Sequence, residues 1–515
     1  MASLPEPTSS QANAIAGLMG RRRFWTILLA AVAIFLLYAY GVQVTEINLE
    51  KPLDPARQAT VTRVLRLMAD PDFVSVDAEA GTIALSDTSI ITIERIIETI
   101  FMALLASSIG TLLAVPLSFL AARNLMEYVT APLAAVMAGV ISLPLGGWLG
   151  LQITRLLSGW AATLNQNGLI GLGALVGVAL LVWLILRLGP PVVAVGKRPS
   201  PQQSLLIAGR LALVTLLLIF GLALLAGLGL QGGRWLEAQL GPFGFLGNFI
   251  YILADFLRLL LPATVSLLGG LTAVGYGSRL GQEMVLRLNG APPRLLTALL
   301  SAAGSGLIVY AIGSALNWLY LFDNPQNWTT IPALIATGVG LVLGVVVAPK
   351  RPLSIGFFIY SVTRAILNIL RSIEPLIMGI VFVVWVSLGP FAGILALTLH
   401  SIAALGKLFS EQVEGIAEGP VEAITATGAN RLQTIVYAVI PQIIPPFTAF
   451  ALYRWDINVR MSTIIGFVGG GGIGFVLSQN IRLLRYQQAA VMMIAIAVVV
   501  MTLDYISARI RARII

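Results

Sequence analysis

Apolar runs close to the ~20 residues needed to cross a lipid bilayer recur along this whole chain. We place them at 24–42, 98–121, 130–150, 167–188, 203–229, 246–272, 295–320, 330–348, 374–389, 391–411, 433–453 and 487–507. A backbone inside hydrocarbon must satisfy its own hydrogen bonds, so each run is expected to be a helix. The expectation is an all-α membrane protein of about twelve transmembrane helices. Composition agrees: 57% of the 515 residues are hydrophobic and 11% charged, too few charges to coat a soluble core of that size.

Charge placement orients the spans. Arg21, Arg22 and Arg23 precede the first run and put the N-terminus in the cytoplasm. That run is long and no small-residue cleavage site follows it cleanly, so it reads as a retained anchor, not a signal peptide. Counting alternately, the inner loops hold Arg123; Arg187, Lys197 and Arg198; Arg279, Arg287 and Arg294; Lys350, Arg351, Arg364 and Arg371; Arg431; and Arg509, Arg511 and Arg513. The outer segment 43–90 carries Glu46, Glu50, Asp54, Asp70, Asp72, Asp77, Glu79 and Asp87 instead. Both termini are therefore expected inside, and the net charge of +9 is assigned to membrane topology, with no nucleic acid. Amphipathic surface helices are expected near 57–73 outside and over 354–371 inside.

The chemistry that is missing narrows the function. No cysteine and a single histidine, His400, leave no thiolate nucleophile and no multi-histidine metal site. There is no GxxxxGK[ST] phosphate loop, and the run Gly469–Gly472 lacks its lysine and strand. An ion-coupled carrier keeps acids inside its spans, and candidates are few. Asp255 and Arg258, three apart, are expected to neutralise each other. A membrane enzyme would need clustered catalytic groups, and none is evident.

One polar turn stands out between two late apolar runs: Glu422 to Pro441, EAITATGANRLQTIVYAVIP. Glu422-Ala423 are expected to begin a short helix that Gly428 breaks, glycine allowing the left-handed backbone of a sharp turn. Small residues Ala423, Ala426 and Ala429 would let a partner approach closely.

This pattern resembles the EAA loop, E-A-A-x3-G-x9-I-x-L-P, of binding-protein-dependent ABC importer permeases. Glu422, Ala423, Gly428 and Pro441 match; Ile424, Ala438 and Ile440 depart mildly. The resemblance implies a coupling loop over 415–441, with Glu422, Ala423, Thr427, Gly428, Ala429 and Pro441 seating in a cytoplasmic P-loop ATPase dimer. It also implies an extracytoplasmic substrate-binding protein, a second permease copy, and a multi-pass place in the lipid of a bacterial plasma (inner) membrane. The chain would be a transport subunit and not an enzyme; it would bind no cofactor or metal, with ATP and Mg²⁺ on the ATPase.

Further stretches, 98–125, 371–414 and 453–474, look like permeases of phosphonate importers. Arg371-Ser372-Ile373-Glu374-Pro375 swaps the family's usual RSIPE order. The implied fold is a type I importer core with a large helical insert, and the implied substrate is phosphonate, phosphite or phosphate. His400, Lys407, Arg454, Asn458, Arg460, Ser462, Gly470 and Gly471 are the candidate translocation path, with Thr463 nearby and backbone N–H groups of Gly469–Gly474 as an anion nest. Competing readings make His400 a helix-packing residue and let Arg454 pair with Asp456 at a helix end. The domain reading is 1–97 anchor and outer segment, 98–125 first core block, 126–352 multi-span insert, and 353–515 main core. Glu283 and Gly290, seven apart, echo the coupling loop, so the insert reads either as a decayed permease half or as a lipid-facing assembly element. An ion-gradient carrier for a small anion is the alternative function.

Overall fold

The structure, a computed structural model, describes residues 9–48, 50–76, 83–188, 200–288 and 290–514. Asp77, Glu79, Lys197 and Arg198 lie outside the described residues, as do the side chains of Arg21–Arg23 and Arg431. Nearly everything described is helix. In chain order the elements are α1 (Ser9–Val44), α2 (Glu50–Leu53), α3 (Pro55–Met68), β1 (Val74–Val76), β2 (Ile83–Leu85), α4 (Asp87–Leu120), α5 (Arg123–Met126) and β3 (Ala131–Pro132). There follow α6 (Leu133–Asn165), α7 (Gly168–Leu188), α8 (Pro201–Gln239), α9 (Gly244–Arg287), α10 (Pro292–Tyr320), α11 (Pro325–Trp328), α12 (Thr330–Val346) and β4 (Pro352–Leu353). The last group is α13 (Ile355–Ser372), α14 (Pro375–Val386), α15 (Pro390–Glu414), α16 (Glu418–Ala426), α17 (Arg431–Thr434), α18 (Ile440–Gly466), α19 (Gly472–Arg482) and α20 (Tyr486–Ile514).

Among the described residues 11 helices are long and apolar enough to cross a membrane, or 12 if the bent pair α13–α14 counts as one span. The span expected over 374–389 is the one that changes. Its helix α14 has 12 residues, about 18 Å of rise, well short of the ~30 Å hydrocarbon core. Pro375 starts it, and Ser387 (φ 74°) and Gly389 (φ 145°) end it. A 90° bend separates it from α13. Large apolar side chains such as Phe35 and Leu37, each 70% exposed, face outward, the inverse of a soluble surface and the pattern that lipid contact requires.

The chain divides into two compact units, residues 1–118 with 366–515, and residues 119–365. The second unit carries α6 to α12 and packs through small residues. Ser142 Oγ of α6 donates to Ala273 O of α9 at 2.9 Å, and Ser266 Oγ donates to Gly147 O at 2.9 Å. A Cβ on Gly150 would meet Val265 O at 2.6 Å, so the two backbones touch where lipid offers no hydrophobic drive. Its entry and exit are tied together. Strands β3 and β4 pair antiparallel, Ala131 with Leu353 and Pro132 with Pro352, and Gly356 N donates to Val129 O at 2.9 Å. Within this unit Gly290 is left-handed (φ 84°), as Gly428 is (φ 81°), but Glu283 lies inside the unbroken α9, ion-paired to Arg287.

In the first unit, Ala106, Met378, Ala396, Leu397 and Ile465 form one buried cluster and Ile473, Leu477, Ala489 and Met492 another. Phe409 and Phe447 stack at 3.9 Å between α15 and α18. The segment before α4 is anchored to the helix ends it meets. Asp54 caps α3, Thr88 Oγ1 donates to Asp72 Oδ2 at 2.9 Å, and Gln487 Nε2 of α20 donates to Asp70 Oδ2 at 3.1 Å.

Candidate functional site

The residues singled out by the sequence fall into three groups, all in the first unit. The first is the polar turn after α15. Helix α16 runs from Glu418, one turn earlier than expected, so Glu422 and Ala423 sit in its middle. None of its residues is buried. Ala426 ends it, Thr427 follows, and Gly428 then adopts φ 81° with nothing within 4 Å of where a Cβ would stand. Ala429 is half-buried. The connection to α18 then passes through α17 and a π-helical turn, Ile435–Val439, before Pro441 in the first turn of α18. A π turn leaves an odd register that periodicity does not reveal. Gln442 staples this region: its Oε1 accepts from Ala417 N at 3.0 Å, and its Nε2 donates to Ala438 O at 2.8 Å. The turn is thus held at its base and bare along its length.

The second group is a buried polar cluster where α4, α15 and α18 meet. Arg454 is 7% exposed, and its Nε donates to Ser401 Oγ at 3.1 Å. Asn458, fully buried one turn on, donates through Nδ2 to the same Ser401 Oγ at 2.9 Å and to Ser107 Oγ of α4 at 2.9 Å. Arg454 and Asp456 do not pair. Residues two apart on a helix point to different sides, and Asp456 accepts instead from Arg460 Nη2 at 2.6 Å, with Asp504 of α20 3.9 Å from the same nitrogen. Ser462 turns its hydroxyl back onto Val459 O at 2.8 Å. His400 is half-buried and its Nδ1 has no hydrogen-bond partner. Lys407 lies 3.8 Å from Glu411 one turn on. Of the eight proposed path residues, only Arg454 and Asn458 share a contact, and they share it through Ser401. Ser107 and Ser401 were not anticipated; the available signal was a small hydroxyl inside an apolar span.

The third group is the glycine loop. Gly469, Gly471 and Gly472 have φ of 96°, 79° and 69°. The expected nest is largely taken by the protein's own acceptors. Gly470 N donates to Ile465 O at 3.1 Å, Gly472 N to Glu98 Oε1 at 3.0 Å, and Ile473 N to Thr99 Oγ1 at 2.8 Å. The loop therefore locks α19 to α4 and to the α14–α15 corner, where Gly389 N donates to Gly469 O at 2.9 Å.

Residues 340–514, which contain all of the polar turn and most of the cluster, match the family described as binding-protein-dependent transport system inner membrane component. The phosphite transport system permease protein PtxC of Stutzerimonas stutzeri is 41% identical over 198 residues, 37% of this chain and 72% of that protein. The putative cryptic phosphonate transport system permease protein PhnE2 of Escherichia coli (strain K12) is 49% identical over 117 residues, 23% of this chain and 96% of that one. The phosphate-import permease protein PhnE of Mycolicibacterium smegmatis is 34% identical over 248 residues, 48% of this chain and 46% of that one.

Proposed function

The chain belongs to the family of binding-protein-dependent transport system inner membrane components, and from that premise we propose that it is the permease of an ATP-driven importer for a small phosphorus oxyanion. Membership of a transport permease family favours this over an ion-gradient carrier. Relatives whose names refer to phosphite, phosphonate and phosphate support the substrate class. A binding protein would deliver the anion on the outer side, and a cytoplasmic P-loop ATPase dimer, carrying ATP and Mg²⁺, would drive it through. A second permease copy would complete the pore, with both termini of each copy in the cytoplasm.

The observation that carries the reading is α16. A nine-residue helix with no buried residue, held at its base by Gln442 and ended by a left-handed Gly428, is a knob without a socket among the described residues. Such a knob suits rigid docking into a groove of a soluble partner, with Glu422, Ala423 and Thr427 presented on it. The test is to purify the chain from membranes, ask whether a P-loop ATPase copurifies, and measure ATP-dependent uptake of phosphite, phosphate and methylphosphonate. Wild type should retain the ATPase and take up at least one of the three. Glu422→Lys and Gly428→Pro should lose both properties, and their persistence in these variants would defeat the coupling assignment.

A further inference from the structure

Arg454 is an unneutralised cation inside a membrane-spanning helix. It is 7% exposed, and among the described residues no carboxylate lies within ion-pair distance of it. Its Nη2 is buried with no acceptor, and Asn458 Oδ1, on the other arm of the same Ser401 hydroxyl, is buried with no donor. A cross-link whose only task was to hold three helices together would be built from neutral groups, because a buried charge without a counter-ion is the costliest choice inside a membrane. The cluster therefore carries one positive charge, one idle donor and one idle acceptor, all within reach of a single hydroxyl.

We infer that Arg454, Asn458, Ser401 and Ser107 form a transient station for one singly charged tetrahedral oxyanion that still carries a P–OH group. The inference rests on the reading of the chain as a phosphorus-oxyanion permease and deepens it. Arg454 Nη2 meets a P–O⁻ oxygen, a charge-assisted bond; Asn458 Oδ1 accepts from the P–OH. Phosphite and phosphonates present that pair only as monoanions, and sulfate never does. One cation balances one anion, so no further charge has to be buried.

Access follows from the seam beside the cluster. On α4 the residues at this level are Ala106, Ser107 and Gly110, and a Cβ on Gly110 would stand 2.6 Å from Ser401 Cβ. A contact made of such small groups lets α4 part from α15 without withdrawing any large side chain from a pocket. In the closed arrangement Ser401 accepts from Arg454 Nε and both serines accept from Asn458 Nδ2; when α4 moves, the anion reaches the idle Nη2 and Oδ1 beside them.

The experiment is Asn458→Asp, which supplies Arg454 with an internal carboxylate. The change also removes the Nδ2 donations to Ser107 and Ser401, so a purely structural cross-link shows its loss in membrane level and ATPase copurification, whereas an anion station keeps both and is filled by the new carboxylate. Uptake of inorganic phosphite, inorganic phosphate and methylphosphonate is measured in cells whose only copy is the variant, beside the chain's membrane level and its ATPase copurification. Wild-type uptake of one of these anions should fall about 10- to 100-fold in N458D, the loss expected for one hydrogen bond to a charged group, with level and copurification unchanged. Arg454→Gln should fall similarly, and it decides by the same criterion if N458D does not accumulate. Uptake within about twofold of wild type overturns the station and leaves the permease reading standing. A wild-type chain that moves none of the three anions overturns both.

Discussion

Glu98 and Gly472 are joined across 374 residues of chain: one carboxylate oxygen of Glu98 accepts the backbone N–H of Gly472 at 3.0 Å. Thr99 does the same for Ile473, and Arg95 holds the other Glu98 oxygen. Helix α4 thus sets an acid on the positive end of α19, where orphan N–H groups and the helix dipole both favour it. The glycine loop is held shut by this bond and by the Gly389–Gly469 hydrogen bond.

Glu98→Ala should therefore lower the stability of the detergent-solubilised chain by about 1–3 kcal/mol, as for a lost hydrogen bond to a charged group. Glu98→Gln keeps an acceptor and should lose less. Thermal midpoints of the two variants read the difference directly; an unshifted midpoint for Glu98→Ala would show that the cap contributes nothing.

Two left-handed glycines should respond differently to alanine. At Gly428 a Cβ meets nothing within 4 Å, so Gly428→Ala should cost only the backbone term, about 1–2 kcal/mol. At Gly471 a Cβ would stand 2.6 Å from Pro390 N, and that clash adds to the same backbone term. Gly471→Ala should accumulate poorly in membranes while Gly428→Ala accumulates normally, which quantitative blotting of membrane fractions would check.

The Asp456–Arg460 pair should be asymmetric. Asp456 is 3% exposed while Arg460 is 51% exposed and lies near a second acid, Asp504. Arg460→Met strands a buried carboxylate, whereas Asp456→Asn leaves Arg460 with Asp504. The first should cost more than the second, by about 1–2 kcal/mol, below the 3–5 kcal/mol of a fully buried pair because Arg460 is half exposed. Equal shifts in thermal midpoint would contradict this reading.

The segment between the β3–β4 pair should be removable. The 198 residues aligned with the Stutzerimonas phosphite permease are 72% of that protein, so it is about 275 residues long. That is too short to hold both units of this chain. Joining Pro132 directly to Pro352, which already face each other across β3 and β4, should yield a chain that still inserts and, on the function proposed above, still copurifies with a P-loop ATPase. Loss of membrane insertion on excision would show that α6–α12 are part of the core.

Much of the fold was legible because lipid makes hydropathy decisive. Most of the span boundaries drawn from apolar runs lie inside a helix, and Gly428 turns where glycine was expected to turn. The misreadings are instructive. The run 374–389 has the composition of a span, but Ser387 and Gly389 adopt positive φ and stop α14 at 12 residues. Arg454 and Asp456 are neighbours in sequence and strangers in space. Ser107 and Ser401 carried almost no signal, since a serine in an apolar helix ordinarily bonds its own preceding turn, as Ser462 does and as Ser107 does while also accepting from Asn458.

The sequence by itself determined that this chain lives in a membrane as helices, and that one polar turn breaks at a glycine between two late spans. Both follow from local quantities: side-chain transfer energy summed over a window, and the backbone freedom of a single glycine. Only the tertiary structure decided that Arg454 bonds Ser401, which Asn458 shares, with no acid in ion-pair reach among the described residues, and that Glu98 closes the glycine loop. Those facts depend on how each helix is rotated about its axis and which neighbour it meets. Hydropathy is blind to both, because a span satisfies its window in any rotation, while a buried guanidinium has to be satisfied in one.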